Sequence, residues 1–299
     1  MRRVPPRLVV VEGSIGTGKT TTAHRLAEAV AARGARVRLV AEGDVEHPAD
    51  LEQVALVDPG DLGGLLAEAP GWGDRVRAAA RPDRAGLLVA YGVLERDHGP
   101  LPEPLRSALQ ARDAYEQPLP VHTRLRREQW ATFVGDAVAG PDDVVVLECC
   151  LVQNPLTVTV LRDDAPEEAL HELVGSLLAG AAPLRPVLVH LRRPDVGAAF
   201  RAAVAQRPPW WRDHVVQYYT GRGLGRRLGA VGIEGTVEVL RRRAEVEGRL
   251  LEAVGSGLGA GADVRVLRVD LPIPRPGAGL EELVEELVGH GPGAPGDAS

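Results

Sequence analysis

The stretch Arg7 to Thr22, RLVVVEGSIGTGKTTT, limits the folds open to this chain more than any other. Leu8 to Val11 is an apolar run, rich in β-branched valine and too short for a helix, so it reads as a buried strand. Glu12 ends it. Gly13-Ser14-Ile15-Gly16-Thr17-Gly18-Lys19-Thr20 then matches G-x-x-x-x-G-K-S/T at every fixed position. From Thr20 to Ala32 the spacing turns helical, with Ala23, Leu26, Ala27 and Val30 on one side. Strand, glycine loop and helix in that order form the setting in which backbone N–H groups cradle a phosphate. Glycine lets the chain turn tightly enough to aim those groups inward. The candidate cradle is Gly13, Ser14, Ile15, Gly16, Thr17, Gly18, Lys19, Thr20 and Thr21. Lys19 brings a compact charge to the outer phosphates, and Thr20 a hydroxyl for Mg²⁺.

Lys19 is also the only lysine in the chain; the other 34 of the 35 basic residues are arginine. A sequence biased this far toward Arg has kept one lysine, where a small ammonium is needed rather than a planar guanidinium.

The remaining composition narrows the class. The 299 residues suffice for a large core. Aromatics make up only 3%, so Leu, Val and Ala must fill it. A net charge of −6 argues against a nucleic-acid partner. No apolar run approaches the roughly 20 residues of a membrane span. Met1-Arg2-Arg3 runs straight into a strand, without room for a signal peptide. Cys149 and Cys150 are adjacent and offer neither a disulfide framework nor metal spacing. These features point to a cytoplasmic protein without a membrane partner.

Further strands are expected at Val37 to Ala41, Val144 to Leu147, Pro186 to Leu191 and Val264 to Leu271. The second strand runs into Glu42-Gly43-Asp44-Val45-Glu46-His47-Pro48, an acid-rich stretch at a strand's carboxyl end, where open α/β sheets bind ligands. It is either part of a site or a solvated turn. Glu148 ends the third strand, as a Mg²⁺-associated carboxylate would, or as a cap on the next segment. Gln153 and Asn154 follow, able to read a polar substrate or to cap a helix. The two cysteines read as small buried residues, with a reactive thiol as the alternative.

Between them, 49–141 reads as a helical insert, with segments near Gly73–Ala80, Arg84–Arg96, Glu103–Tyr115 and His122–Ala139. Helices are also expected over Pro166–Ala182, Val196–Gln206, Ile233–Val254 and Leu280–Val288. Across 205–232, Pro, Gly, Arg and aromatics concentrate; four of the ten aromatics fall between Trp210 and Tyr219. This reads as a lid, with Arg207 and Arg212 for phosphate oxygens and Trp211 and Tyr218 for substrate, or as an aromatic-anchored surface loop. The tail 291–299 is small-residue and expected to be disordered.

Taken together, the chain resembles the P-loop nucleoside and nucleotide kinases of the thymidylate kinase and deoxynucleoside kinase group. The residues carrying this are Glu12 to Thr20, Glu42, Glu148, and Val187-Leu188-Val189-His190-Leu191-Arg192-Arg193-Pro194-Asp195 leading into a helix and an Arg-bearing lid. The resemblance implies a single three-layer αβα domain over 1–290, with a five-stranded parallel sheet in the order 2-3-1-4-5. It implies ATP and Mg²⁺ as cofactors, with Thr20 and Glu148 on the metal. Glu42, with Asp44 as deputy, would be the base or acceptor-positioning group. Lys19 and the lid residues Arg201, Arg207 and Arg212 would neutralise charge during transfer, while Glu148, Gln153, Trp211 and Tyr218 would face the substrate. The acceptor would be a nucleoside, a nucleotide or a hydroxylated metabolite or antibiotic, and the resemblance leaves room for a homodimer. Two departures lie on the acceptor side. Cys149 follows Glu148 where deoxynucleoside kinases carry arginine, and Glu42-Gly43-Asp44 replaces their Glu-Pro signature. The rival reading is an NTP-binding switch or regulatory ATPase that acts through protein contacts.

Overall fold

The structure is a computed structural model that describes residues 5–259, 264–270, 281, 284 and 285. The expected tail 291–299 lies outside the described residues, as does most of the helix expected over Leu280–Val288. Two compact units are formed, one from Met1–Glu42 with Val134–Ser299 and the other from Gly43–Phe133.

The first unit is built on a five-stranded sheet in which every pairing is parallel. Its strands are β1 (Leu8–Gly13), β2 (Val37–Val40), β6 (Val144–Glu148), β7 (Val187–Arg192) and β8 (Arg265–Asp270), in the order β2-β6-β1-β7-β8. Numbered within this sheet alone, that order is 2-3-1-4-5, as expected. Leu8, Val9, Val10 and Val11 are all completely buried. A strand can be apolar at every position only if both of its faces are covered, so the alternation of a half-exposed strand is missing. On one face Val9 and Val11 pack with Ala23, Leu26, Ala27 and Val30 of the helix Lys19–Ala31. Fully burying an aliphatic side chain of this size contributes about 1.5–3 kcal/mol.

Parallel pairing puts the carboxyl ends of the strands on one edge. Val11 is in register with Glu148, and Gly13 with Leu191. Gly13 makes this edge buildable. A Cβ there would sit 2.6 Å from the Leu191 carbonyl oxygen and 2.8 Å from Thr17 Oγ1, at φ +154°. Gly16 has φ +78° but nothing within 4 Å of the same position. Gly13→Ala is therefore expected to cost about 3 kcal/mol in urea unfolding, against about 1 kcal/mol for Gly16→Ala. Equal costs would mean that the clash with Leu191 is not felt.

The segment 205–232 is helical, as Pro209–Thr220 and Gly223–Arg227. Pro208 and Pro209 start the first helix, where a missing N–H costs nothing. The glycines read as a source of movement serve close packing here. A Cβ on Gly225 would meet the Tyr219 carbonyl oxygen at 2.0 Å, and one on Gly223 the Arg162 carbonyl oxygen at 2.6 Å. Val215, Trp211 and Tyr219 pack with Phe200, Val237 and Leu240 of the neighbouring helices Val196–Gln206 and Gly232–Gly255. Trp210 is left 70% exposed.

The second unit departs from an all-helical insert. Besides its helices it contains β3 (Val54–Val57), β4 (Ala80–Asp83) and β5 (Gly86–Ala90), in an antiparallel sheet of order β3-β5-β4. The run expected as one helix, Arg84–Arg96, is instead strand β5 followed by the helix Tyr91–His98. Leu87 to Ala90 is an unbroken apolar run that fits either state by periodicity. Gly86 decides it: at φ +152°, it passes so close to Val57 that a Cβ would lie 2.4 Å from the Val57 carbonyl oxygen. Val57, Trp72, Val89, Leu94 and Leu105 are among the residues of this unit's core. The helix expected at His122–Ala139 runs from Leu119 to Ala139 and buries Leu125, Trp130, Phe133 and Val134. Val138, expected on the same face, is 44% exposed.

Candidate active site

The loop Gly13 to Gly18 leads into the helix Lys19–Ala31, whose cap position is Gly18 in the left-handed conformation. The helix has no side-chain cap and no acid in its first turn. Its first N–H groups and the positive end of its dipole are thus left for an anion from outside the chain. Within the loop, Thr17 Oγ1 donates to the Ser14 carbonyl oxygen at 2.8 Å. Ile15 packs into the cluster around Phe200 and Leu240, and Thr21 is exposed on the helix's first turn.

Four residues expected at the site meet at this strand edge. Thr20 Oγ1 donates to Glu148 Oε1 at 2.5 Å, across 128 residues of sequence. The Glu42 amide donates to the other Glu148 oxygen at 3.2 Å, tying the end of β2 to that of β6. Lys19 Nζ lies 3.4 Å from Glu42 Oε2, with the lysine side chain 8% exposed and Glu42 40%. Gln153 Nε2 donates to Glu42 Oε1 at 2.6 Å. A hydroxyl and a carboxylate side by side suit a hard cation such as Mg²⁺, which takes one or two carboxylates and fills its shell with water and phosphate oxygens. Among the described residues no group of three or more His, Cys, Asp or Glu could hold a metal. An ion here would need the phosphate as a partner.

The other expected residues have partners elsewhere. Arg201 forks onto Glu234 at 3.0 and 2.6 Å. Arg212 pairs with Asp213 at 2.8 Å, and Arg207 lies over the Trp211 ring at 4.3 Å. Tyr218 carries Arg222 over its ring at 5.3 Å. Asp44 belongs to the second unit, where its carboxylate accepts from the Glu46 amide at 3.0 Å.

Sequence reasoning missed two buried features. The first is Glu12, the residue that merely appeared to end β1. It is completely buried, and accepts from the amides of Leu151, Val152 and Gln153 at 2.9, 2.7 and 3.0 Å. Cys149 and Cys150 make this possible by taking φ +60° and +74°, a conformation uncommon for residues with a Cβ. The turn they form delivers three successive N–H groups to one carboxylate. Nothing in a Cys-Cys pair signals such a turn, since glycine or asparagine usually marks it.

Burial pushes the Glu12 carboxyl up to about 7 against the opposing pull of those amides, with the nearby Glu247 charge adding to the rise. A carboxyl raised in the fold stabilises the protein fully below its unfolded value near 4.5, and this contribution is lost as pH rises through about 7. The shift corresponds to roughly 3 kcal/mol. Stability measured by urea unfolding should therefore fall between pH 5 and 7.5, and fall by about that much less in Glu12→Gln. Identical pH profiles for the two proteins would exclude the effect.

The second feature lies on the helix Gly232–Gly255. Arg243 donates to Ser14 Oγ at 2.7 Å and to Glu247 Oε2 at 3.1 Å. Both are 2% exposed. Glu247 Oε1 stands 3.6 Å from His190 Nε2 at the end of β7. Burial alone would raise the Glu247 carboxyl, but the Arg243 charge, backed by His190, outweighs it and holds the group below its usual range. A signal for this pair was present. Thr236, Leu240, Arg243, Glu247, Leu250 and Val254 recur at spacings of three and four, so two opposite charges sit within the helix's buried stripe.

No family model matches the chain, and no curated protein does. Among solved structures it is similar to the thymidylate kinase of Candida albicans, at 10% identity over 95% of this chain and 89% of that one, with a TM-score of 0.41.

Proposed function

We propose that the chain is an ATP-dependent phosphotransferase that moves the γ-phosphoryl group to a small-molecule acceptor. The observation that carries this is the meeting of Thr20 and Glu148 beside the loop. A phosphate cradle alone serves many functions. A hydroxyl and a carboxylate from two distant elements, brought together at its mouth, are what a phosphate-bound Mg²⁺ requires.

In this reading the loop amides and Lys19 hold the β- and γ-phosphates, and Thr20 and Glu148 hold the ion. When bound, Mg²⁺ supplies charge neutralisation on the phosphate oxygens. Glu42 orients the acceptor hydroxyl or phosphate and accepts its proton; Gln153 fixes the carboxylate by its 2.6 Å hydrogen bond. Lys19 beside Glu42 brings donor and acceptor groups into one charge cluster. Most of the rate enhancement would come from positioning and from fixed charges, as is usual for phosphoryl transfer. Arg207 and Arg212 join the site if the 205–232 segment closes on it, and Trp211 and Tyr218 then face the substrate. Asp44 is the second candidate for the acceptor group. The acceptor is a nucleoside, nucleotide or hydroxylated metabolite.

The test is a panel of such acceptors incubated with ATP and Mg²⁺, read as ADP release and as mass gain of the acceptor. One or more should raise ADP release above the acceptor-free rate. Hydrolysis that is indifferent to the whole panel favours the rival, an NTP switch acting through protein contacts.

A further inference from the structure

On the first unit, beside the phosphate loop, lies a cavity of about 140 Å³. Its wall is largely aliphatic, with Ile15, Leu191, Val196 and Leu240 contributing and the small Ala199 and Ala244 leaving the space. Two polar side chains line it, His190 and Glu247, 6% and 2% exposed. Each has a buried atom without a hydrogen-bond partner, His190 Nδ1 and Glu247 Oε1. The 3.6 Å between Glu247 Oε1 and His190 Nε2 is too long for a hydrogen bond. The other Glu247 oxygen is taken by Arg243, which balances its charge.

A buried polar atom left unpaired costs about 1–3 kcal/mol, and folded proteins keep few of them. A single water needs only about 10–15 Å³, whereas an aliphatic cavity of about 150 Å³ accepts benzene. The space is thus the size of a ring, with apolar walls, an unused carboxylate oxygen and an unused imidazole nitrogen. We infer that this cavity is a binding site for a neutral planar heterocycle that presents an N–H donor to Glu247 Oε1 and a neighbouring ring atom to His190 Nδ1, the chemistry of a nucleobase edge. Such a ring can be a free heterocycle or the base of a bound nucleotide. The inference goes beyond phosphoryl transfer and stands even if no acceptor is phosphorylated. Occupancy would also be felt at the loop, because Arg243 joins Glu247 to Ser14.

The experiment titrates the full chain with adenine, cytosine and 2-aminopyrimidine, and with benzene as a ring of similar size lacking a donor, by calorimetry and ligand-observed NMR. At least one heterocycle should bind, about tenfold or more tighter than benzene. Ala244→Leu, which places a side chain in the cavity, should weaken that binding at least about tenfold while the melting temperature holds. Ala199→Leu fills the same space from another helix and replaces it if the first variant does not fold. Displacement of the ring by ATP assigns the cavity to the nucleotide's own base; simultaneous binding assigns it to a free heterocycle. No binding at millimolar concentration, benzene binding as tightly as the heterocycles, or affinity untouched by either leucine would overturn the inference.

Discussion

Arg243→Ala is expected to destabilise the protein by about 3–5 kcal/mol, the cost of leaving one member of a buried ion pair without the other. Arg243 is 2% exposed and makes two contacts, with Glu247 at 3.1 Å and with Ser14 Oγ at 2.7 Å. Its removal leaves the Glu247 carboxylate facing only His190 in a dry surrounding. The double variant Arg243→Met with Glu247→Leu removes both charges and refills the volume, so it should recover most of the loss. Urea unfolding of the two proteins measures both effects. A single variant costing less than 1 kcal/mol would show that water reaches the pair. A double variant as unstable as the single would show that the Ser14 contact, and not the stranded charge, carries the cost.

The double variant also separates stability from function. Leu at 247 and Met at 243 can restore packing but offer no donor to Ser14 Oγ. If the loop depends on that contact for its shape, ATP affinity stays reduced after stability has returned. The buried pair is then a device for holding the phosphate loop, and its charge is tolerated because the geometry is worth more than the desolvation it costs.

What could be read from the sequence divides along physical lines. β1, the loop and the helix behind it were legible because each rests on a local rule: a β-branched apolar run, glycines at fixed offsets, and aliphatic residues at helical spacing. The sheet order followed from strands that are short, apolar throughout and separated by helices. Glu42 and Glu148 were legible because acids at the carboxyl ends of such strands share one edge, and Glu42 N and Glu148 Oε2 do meet there. Strands β3 to β5 were not legible, because Leu87 to Ala90 satisfies two periodicities and only the approach of Gly86 to Val57 selects one. The partners of Glu12 could not be foreseen either. They depend on two cysteines in left-handed conformations, which tertiary packing imposes against local preference. Arg201 and Arg212 had the right chemistry for phosphate, but opposite charges on Glu234 and Asp213 are nearer. Residue type alone does not say which partner an arginine finds.

Lys19→Ala should abolish nearly all phosphotransfer while leaving the fold in place. The two effects separate because of where the lysine sits. Its ion pair with Glu42 spans 3.4 Å, and the Glu42 side chain is 40% exposed, so water can solvate the carboxylate once the ammonium is gone. The stability change should therefore stay within about 1 kcal/mol. The catalytic loss has no such compensation. A fixed charge aimed at the transferring phosphoryl group acts in a site that excludes water, and removing one such group costs about 10²–10³ in rate. Lys19→Arg should not restore it, since the guanidinium is planar and larger than the space left by the loop's glycines. The measurement is acceptor-dependent ADP release by the three proteins, alongside their urea unfolding curves. Wild-type turnover in the alanine variant would remove the loop from the reaction. Rescue by arginine would show that charge alone suffices, and would leave the chain's one lysine among 35 basic residues without a chemical reason.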